Sequence, residues 1–191
     1  MPKPKIDPRA HVPQPSASGT YLRVQILRVV ERPDPILSTR AVEIDPCDPA
    51  MVALAHAMTA TMRASPACVG LAATQVGIAA RLFCMDVTGH RKTRSCAGLV
   101  VLANPRIVAH SAEIVMREGC LSVPHLTGNV ARAEEVTVEG LVPGTARLVR
   151  VSANAMEARC LQHEVDHLDG LVFVDRVRAP ETDLFVRKSY G

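Results

Sequence analysis

The chain has 191 residues, of which 48% are hydrophobic and 21% charged, with a formal net charge of +3. This is the composition of one ordinary globular domain, and the mild basicity, with no dense Lys/Arg run beyond Arg91-Lys92-Thr93-Arg94, gives no support to nucleic-acid binding. No apolar stretch approaches a membrane span and no signal-peptide core follows the N-terminus, so no membrane association and a cytoplasmic location are expected.

In chain order, residues 1–21 carry Pro2, Pro4, Pro8, Pro13 and Pro15 among polar residues and read as a flexible N-terminal tail. A short strand is expected over Arg23–Leu27, before the Pro33-Asp34-Pro35 turn. Asp48-Pro49 starts a helix, with Asp as N-cap and Pro in the first turn. Met51, Leu54, Ala55, Met58 and Met62 recur at helical spacing as a core face, and Pro66 closes it. Strands are expected at Leu82–Val87, Gly98–Ala103, Arg106–Ala109, Glu135–Glu139 and Ala146–Val151. A long helix then runs from about Ser152 to Asp169, with Gly170 as a left-handed cap. A helix before and a helix after a strand-rich middle predict an α+β fold, not a βαβ series. The expected division is a single domain over 22–178 followed by a C-terminal tail at 179–191.

Six cysteines, Cys47, Cys68, Cys84, Cys96, Cys120 and Cys160, invite a disulfide framework. A chain of this length without a secretory signal argues against one, and most of the six sit among apolar residues as small core side chains.

The chemistry concentrates at Gln162-His163-Glu164-Val165-Asp166-His167. On a helix His163 and His167 project from one face one turn apart, so both imidazoles reach one metal ion, and Glu164 beside them is placed to take a proton from water at that metal. The bland alternative is a solvated helix that carries these residues by chance. Cys120 is the best candidate for a third ligand, since it follows Glu118-Gly119 outside any clean periodic segment. A Cys-His-His set leaves a fourth position open for water, as catalytic metals require. Oxyanion donors opposite the metal come from an amide such as Gln75 and a backbone N–H just after Cys120. On the helix Met156, Cys160, His163 and His167 share one stripe, which reads as a pocket wall or as plain core packing.

Three segments carry a resemblance: Gly70-Leu71-Ala72-Ala73-Thr74-Gln75, Glu118-Gly119-Cys120-Leu121-Ser122 and Gln162-His163-Glu164-Val165-Asp166-His167-Leu168. In this order they resemble the signature motifs of peptide deformylases, and the similarity spans roughly Ile26 to Val177. The resemblance implies mixed and antiparallel strands packed around a central H-E-x-x-H helix. It implies that Cys120, His163 and His167 bind one divalent metal, generally Fe2+, for which Zn2+, Ni2+ or Co2+ substitute. It makes Glu164 the general base and then acid, gives the oxyanion to Gln75 and the Leu121 N–H, and places Gly70 where peptide backbone approaches. Val69, Met116, Leu121, Met156 and Cys160 match or neighbour the family's apolar substrate pocket. The implied substrate is the formyl-methionine end of new chains, whose removal of formate leaves the ribosome surface open as a partner. Glu118 and Arg132 are candidates for an ion pair steadying the Cys120 loop or for an ordinary surface pair. Cys68 and Thr127 depart from the pattern, standing where glycine and, in some members, arginine are found.

Two rival readings exist. A general H-E-x-x-H metallopeptidase would need a downstream third ligand, usually Glu or His, yet no histidine follows His167 and the remaining acids, Asp169, Asp175, Glu181 and Asp183, lie close to the helix or in the expected C-terminal tail. A non-enzymatic deformylase-like binding module would not need every chemical residue that is retained here.

Overall fold

The computed structural model describes residues 25–187. The Pro-rich tail at 1–21 lies outside them, as do the first residues of the strand expected at Arg23–Leu27. From Gln25 to Val30 the chain is extended without pairing in a sheet. It is tied instead by single bonds: Leu27 N–H donates to Thr61 Oγ1 at 2.9 Å and Val30 N–H to the Gln75 carbonyl at 2.8 Å.

Helix α1 spans Pro49–Ala64, and Asp48 caps it by accepting from Ala50 N–H at 2.8 Å. It buries Leu54, Ala55, Met58 and Met62. Strand β1 (Gly70–Ala72) and strand β2 (Leu82–Met85) follow, then β3 (Val100–His110), β4 (Glu113–Cys120), β5 (Val123–Ala133), β6 (Glu135–Val142) and β7 (Arg147–Asn154). Helix α2 spans Ala155–Leu168, and the short α3 (Pro180–Asp183) and β8 (Leu184–Val186) complete the described chain. The strands make two antiparallel sheets, ordered β1-β2-β3-β6-β7 and β4-β5-β8. The fold is α+β.

At β2 the five-stranded sheet is covered on both faces, which explains why Leu82-Phe83-Cys84-Met85 is an unbroken apolar run. Strand geometry sends alternate residues to opposite faces. Phe83 and Met85 join Val100, Leu102, Val136 and Val138 against Ala158, Leu161, Val165 and Leu168 of α2. Leu82 and Cys84 turn the other way, against Leu54, Met58 and Met62 of α1. A third cluster, with Val130, Val172, Phe173 and Leu37, lies under the smaller sheet and includes Cys120.

Several boundaries differ from those expected. Gly98–Ala103 and Arg106–Ala109 are one strand, β3, with a register shift between Ala103 and Arg106. Asn104 takes φ +51° there, and its side chain bonds both Ile44 N–H (2.9 Å) and the Ile44 carbonyl (2.8 Å), so the Asn-Pro pair makes a bulge rather than a break. Helix α2 begins at Ala155, not Ser152, because β7 stays paired with β6 as far as Glu135↔Asn154 and Ala155 then turns at φ +50°. Strands β4 and β5 were not expected at all. Cys120, read as outside a periodic segment, is the last residue of β4. The stretch expected as a C-terminal tail is structured as far as it is described: β8 pairs with β5 through Leu126↔Val186, Thr127↔Phe185 and Gly128↔Leu184.

Gly170 ends α2 as expected, at φ +78°, with Leu171 N–H donating to the Asp166 carbonyl at 2.9 Å. A side chain there would also meet the Ser38 carbonyl at 2.9 Å. Because Phe83 is fully buried between β2 and α2, Phe83→Ala is expected to cost about 3–5 kcal/mol. A urea unfolding curve reads this directly, and a midpoint equal to wild type would contradict the packing described.

Candidate metal centre

Helix α2 crosses the five-stranded sheet with its ligand-bearing face turned toward the end of β4. Its first turn is fixed by Glu157, which accepts from Ser95 Oγ at 2.7 Å and from Ala97 N–H at 2.6 Å. About two and three turns after Glu157 come His163 and His167, their rings 4.9 Å apart and nearly perpendicular. Cys120 is brought to them by the β4–β5 hairpin, and the ligand atoms of Cys120, His163 and His167 all lie within 4.8 Å of one another. Among the described residues this is the one such cluster of His, Cys, Asp or Glu.

The donor set suits a divalent metal. Burial works to raise the Cys120 thiol, but the imidazoles of His167 and His163 overcome it and hold the group well below its ordinary value, favouring the thiolate. Cys120 Sγ lies 3.2 Å from His167 Nε2 and accepts from Gln75 Nε2 at 3.2 Å and from Ser122 N–H at 3.4 Å. His163 Nδ1 lies 3.0 Å from Glu118 Oε2, and since an ionised carboxylate only accepts, Nδ1 carries the proton. That leaves His163 Nε2 free for a metal. Two imidazoles, one thiolate and a carboxylate orienting one of the rings form a set that fits a catalytic cation.

Glu118 belongs to a chain of charges that is buried except at its Arg176 end. It accepts from Arg132 Nε at 2.8 Å, from Arg132 Nη2 at 3.0 Å and from Arg159 Nη1 at 2.7 Å. Arg132 also reaches Asp166, to which Arg176 donates from Nη2 at 2.6 Å. The Glu118–Arg132 pair is therefore a buried support of the site and not a surface pair, both side chains being 3% exposed. Burial opposes ionisation of Glu118, but hydrogen bonds from His163 and Arg132 more than offset it and hold the carboxyl far below the usual range.

Glu164 is buried like Glu118 but lacks its hydrogen-bonded partners. It is 2% exposed, its Oε2 has no partner among the described residues, and burial pushes its carboxyl up to about 7 despite the nearby His163 and His167. It lines a cavity of about 290 Å³ together with Val69, Gly70, Leu121, Met156, Cys160 and His163. Gly70 is required there, because a Cβ at that position would collide with Glu164 Oε1 and approach Cys160 Sγ to 2.8 Å.

Most of the residues singled out from sequence are thus brought together, and two placements need comment. Met116 does not line this cavity. It lies four residues before Cys120 on β4, about 13 Å along an extended strand, and faces a separate hollow with Ile114, Glu134 and Ala155. Gln75 is not among the lining residues either, but its Nε2 reaches Cys120 Sγ, which is, while its Oε1 accepts from Ala72 N–H at 3.0 Å. Cys68 turns its thiol back to the Gly70 carbonyl at 3.1 Å, and burial pushes that thiol up to about 12. Thr127 accepts from Arg117 Nη1 at 3.3 Å. Sequence reasoning missed Arg159, Asp166 and Arg176. Arg159 was within reach of helical spacing, since it lies one turn before His163 and serves the same carboxylate.

Comparison with known proteins agrees with this geometry. The model of the polypeptide deformylase family matches residues 26–183. The peptide deformylase of Syntrophobacter fumaroxidans is 40% identical over 163 residues, covering 85% of this chain and 93% of that protein. Among solved structures, the peptide deformylase of Ehrlichia chaffeensis aligns with a TM-score of 0.75 at 32% identity, over 82% of this chain and 90% of that one. A Met-Ala-Ser-bound class I type b peptide deformylase of Acinetobacter baumannii aligns with a TM-score of 0.73 at 35% identity, over 81% and 99% respectively. With the motif-bearing segments folded into one buried site and relatives matching along most of its length, the chain belongs to the polypeptide deformylase family.

Proposed function

We propose that this chain removes the formyl group from the N-terminal formyl-methionine of new polypeptides, releasing formate, with Cys120, His163 and His167 holding one divalent cation. The observation that carries the reading is Glu164, a buried carboxylate with a free oxygen, set beside three convergent ligand atoms on the wall of a cavity that also offers apolar side chains. When bound, the cation supplies Lewis acidity, polarising the formyl carbonyl and acidifying water.

The chain's own residues supply the rest. Glu164 takes the proton of the attacking water and returns it to the departing amine, and a carboxyl raised to about 7 serves both steps near neutrality. Gln75 Nε2, held beside Cys120, and the Leu121 N–H, in the turn that follows it, donate to the oxygen as it gains charge. Gly70 lies on β1, an edge strand of its sheet, so an extended peptide can pair alongside it. Val69, Met156 and Cys160 offer the methionine side chain an apolar wall. Formyl-methionine chains are made on ribosomes, so cytoplasmic action near a ribosome surface belongs to the same reading. Among the described residues no helix is long and apolar enough to cross a membrane.

Two substitutions separate these roles. Glu164→Ala is expected to keep its metal and lower kcat by about 10⁴-fold, the upper end for general acid–base groups. Gln75→Ala is expected to lose about 10²-fold in kcat with a smaller change in KM. Formate release measured beside metal content decides both: a Glu164→Ala enzyme retaining a third of its activity, or a Gln75→Ala enzyme altered in KM alone, would remove the assigned role.

Iron(II) is the proposed native metal, supported by the family resemblance and by a ligand set that zinc, nickel and cobalt also satisfy. A thiolate ligand beside a ferrous ion is vulnerable to oxygen, at the metal or along the sulfenic-to-sulfonic ladder. Enzyme purified under nitrogen should therefore contain iron and lose activity in air, with nickel or cobalt forms surviving longer. Iron-loaded protein that keeps full activity and an unmodified Cys120 mass through prolonged aeration would overturn this.

A further inference from the structure

We infer that Arg187, carried to the cavity mouth by β8, favours formyl peptides that bear an acidic side chain shortly after the methionine. The inference rests on the deformylase reading and adds a selectivity to it.

The C-terminal strand delivers this residue with little freedom of backbone. Phe185 and Val186 are in register with Thr127 and Leu126, and Arg187 N–H still donates to the His125 carbonyl at 2.9 Å. Its side chain then crosses over Gly119, next to the ligand Cys120. A Cβ on Gly119 would collide with Arg187 Nη2, so the glycine makes room for the guanidinium. Arg187 lines the same cavity as Glu164 and His163.

What sets Arg187 apart is that its charge is uncommitted. Arg159, on the same wall, is spent on Glu118. Arg117 donates to Asn129 Oδ1 at 3.0 Å and to Thr127 Oγ1, and lies 3.4 Å over the Phe185 ring. No side-chain partner faces the Arg187 guanidinium among the described residues. The acids that line the cavity, Glu118 and Glu164, are buried at 6% and 2% exposure and do not neutralise the mouth. A peptide whose formyl end lies at Cys120, His163 and His167 advances about 3.3 Å per residue. Gly119 adjoins Cys120 and lines the same cavity as Arg187, so a peptide leaving along this wall brings its first residues after methionine within reach of the arginine. A carboxylate there meets a planar donor pair suited to bidentate binding. A lysine meets a like charge.

The test is formate release from formyl-Met-Asp-Ser, formyl-Met-Ala-Ser and formyl-Met-Lys-Ser by the metal-loaded enzyme. Wild type is expected to rank them Asp, Ala, Lys in kcat/KM, each step on the order of two- to five-fold for an exposed ion pair. The differences should lie in KM and shrink at high salt. Arg187→Lys should keep the order, and Arg187→Glu should invert it. An Asp-to-Lys ratio that is the same in wild type and Arg187→Glu would overturn the inference. So would an equal loss on all three peptides, which would make Arg187 a prop for β8. No formate from any peptide with wild type would instead defeat the deformylase reading, and this inference with it.

Discussion

The site depends on one buried carboxylate. Glu118 joins the end of β4 to β5 through Arg132 and to α2 through Arg159 and His163. Burying ions is costly unless the geometry satisfies them, and removing one member of such a group leaves the others uncompensated. Here Arg159, Glu118, Arg132, Asp166 and Arg176 alternate in sign along the chain of contacts. Their ion pairs fix the distance between the cysteine-bearing hairpin and the histidine-bearing helix. Glu118 also fixes which nitrogen of His163 is free.

Two glutamates of one site have been given opposite characters by their neighbours. Glu118 faces two guanidiniums and an imidazole and stays ionised, so it serves as an acceptor. Glu164 faces a cavity with an unpartnered oxygen, and burial brings its carboxyl to the edge of protonation. The separation follows from environment alone, since the side chains are identical. The absence of a side chain at Gly70 is part of the same arrangement, because it leaves Glu164 room beside the edge of β1.

The helices were legible in the sequence because each carries its own signals: Asp48-Pro49 at the start of α1, a four-residue spacing of Met and Leu, and Gly170 at the end of α2. The histidine part of the candidate metal site was legible for a similar reason, as His163 and His167 are local in one helix with Glu164 between them. Strands β4 and β5 were not. Pro124, Gly128 and Asn129 interrupt β5 as a pattern, and what holds it is pairing with β4 and β8, which lies outside any local window. Met116 illustrates the cost of not knowing the strand. Alternation puts it on the same side as Glu118 and Cys120, yet its distance along β4 takes it out of the cavity. Arg187 had no signal at all, since only the pairing of β8 gives the chain end a position.

That pairing has a consequence for the order in which the molecule is assembled. Synthesis runs from the N-terminus and domains tend to fold as they emerge, and contacts between distant segments close slowly. Leu184–Val186 must return across more than fifty residues to reach Leu126–Gly128. The two-strand ribbon of β4 and β5, which holds Cys120, therefore keeps one edge of β5 unpaired until Leu184–Val186 reach it. The rim of the cavity is thus completed by a long-range contact, made after the local hairpin that carries Cys120.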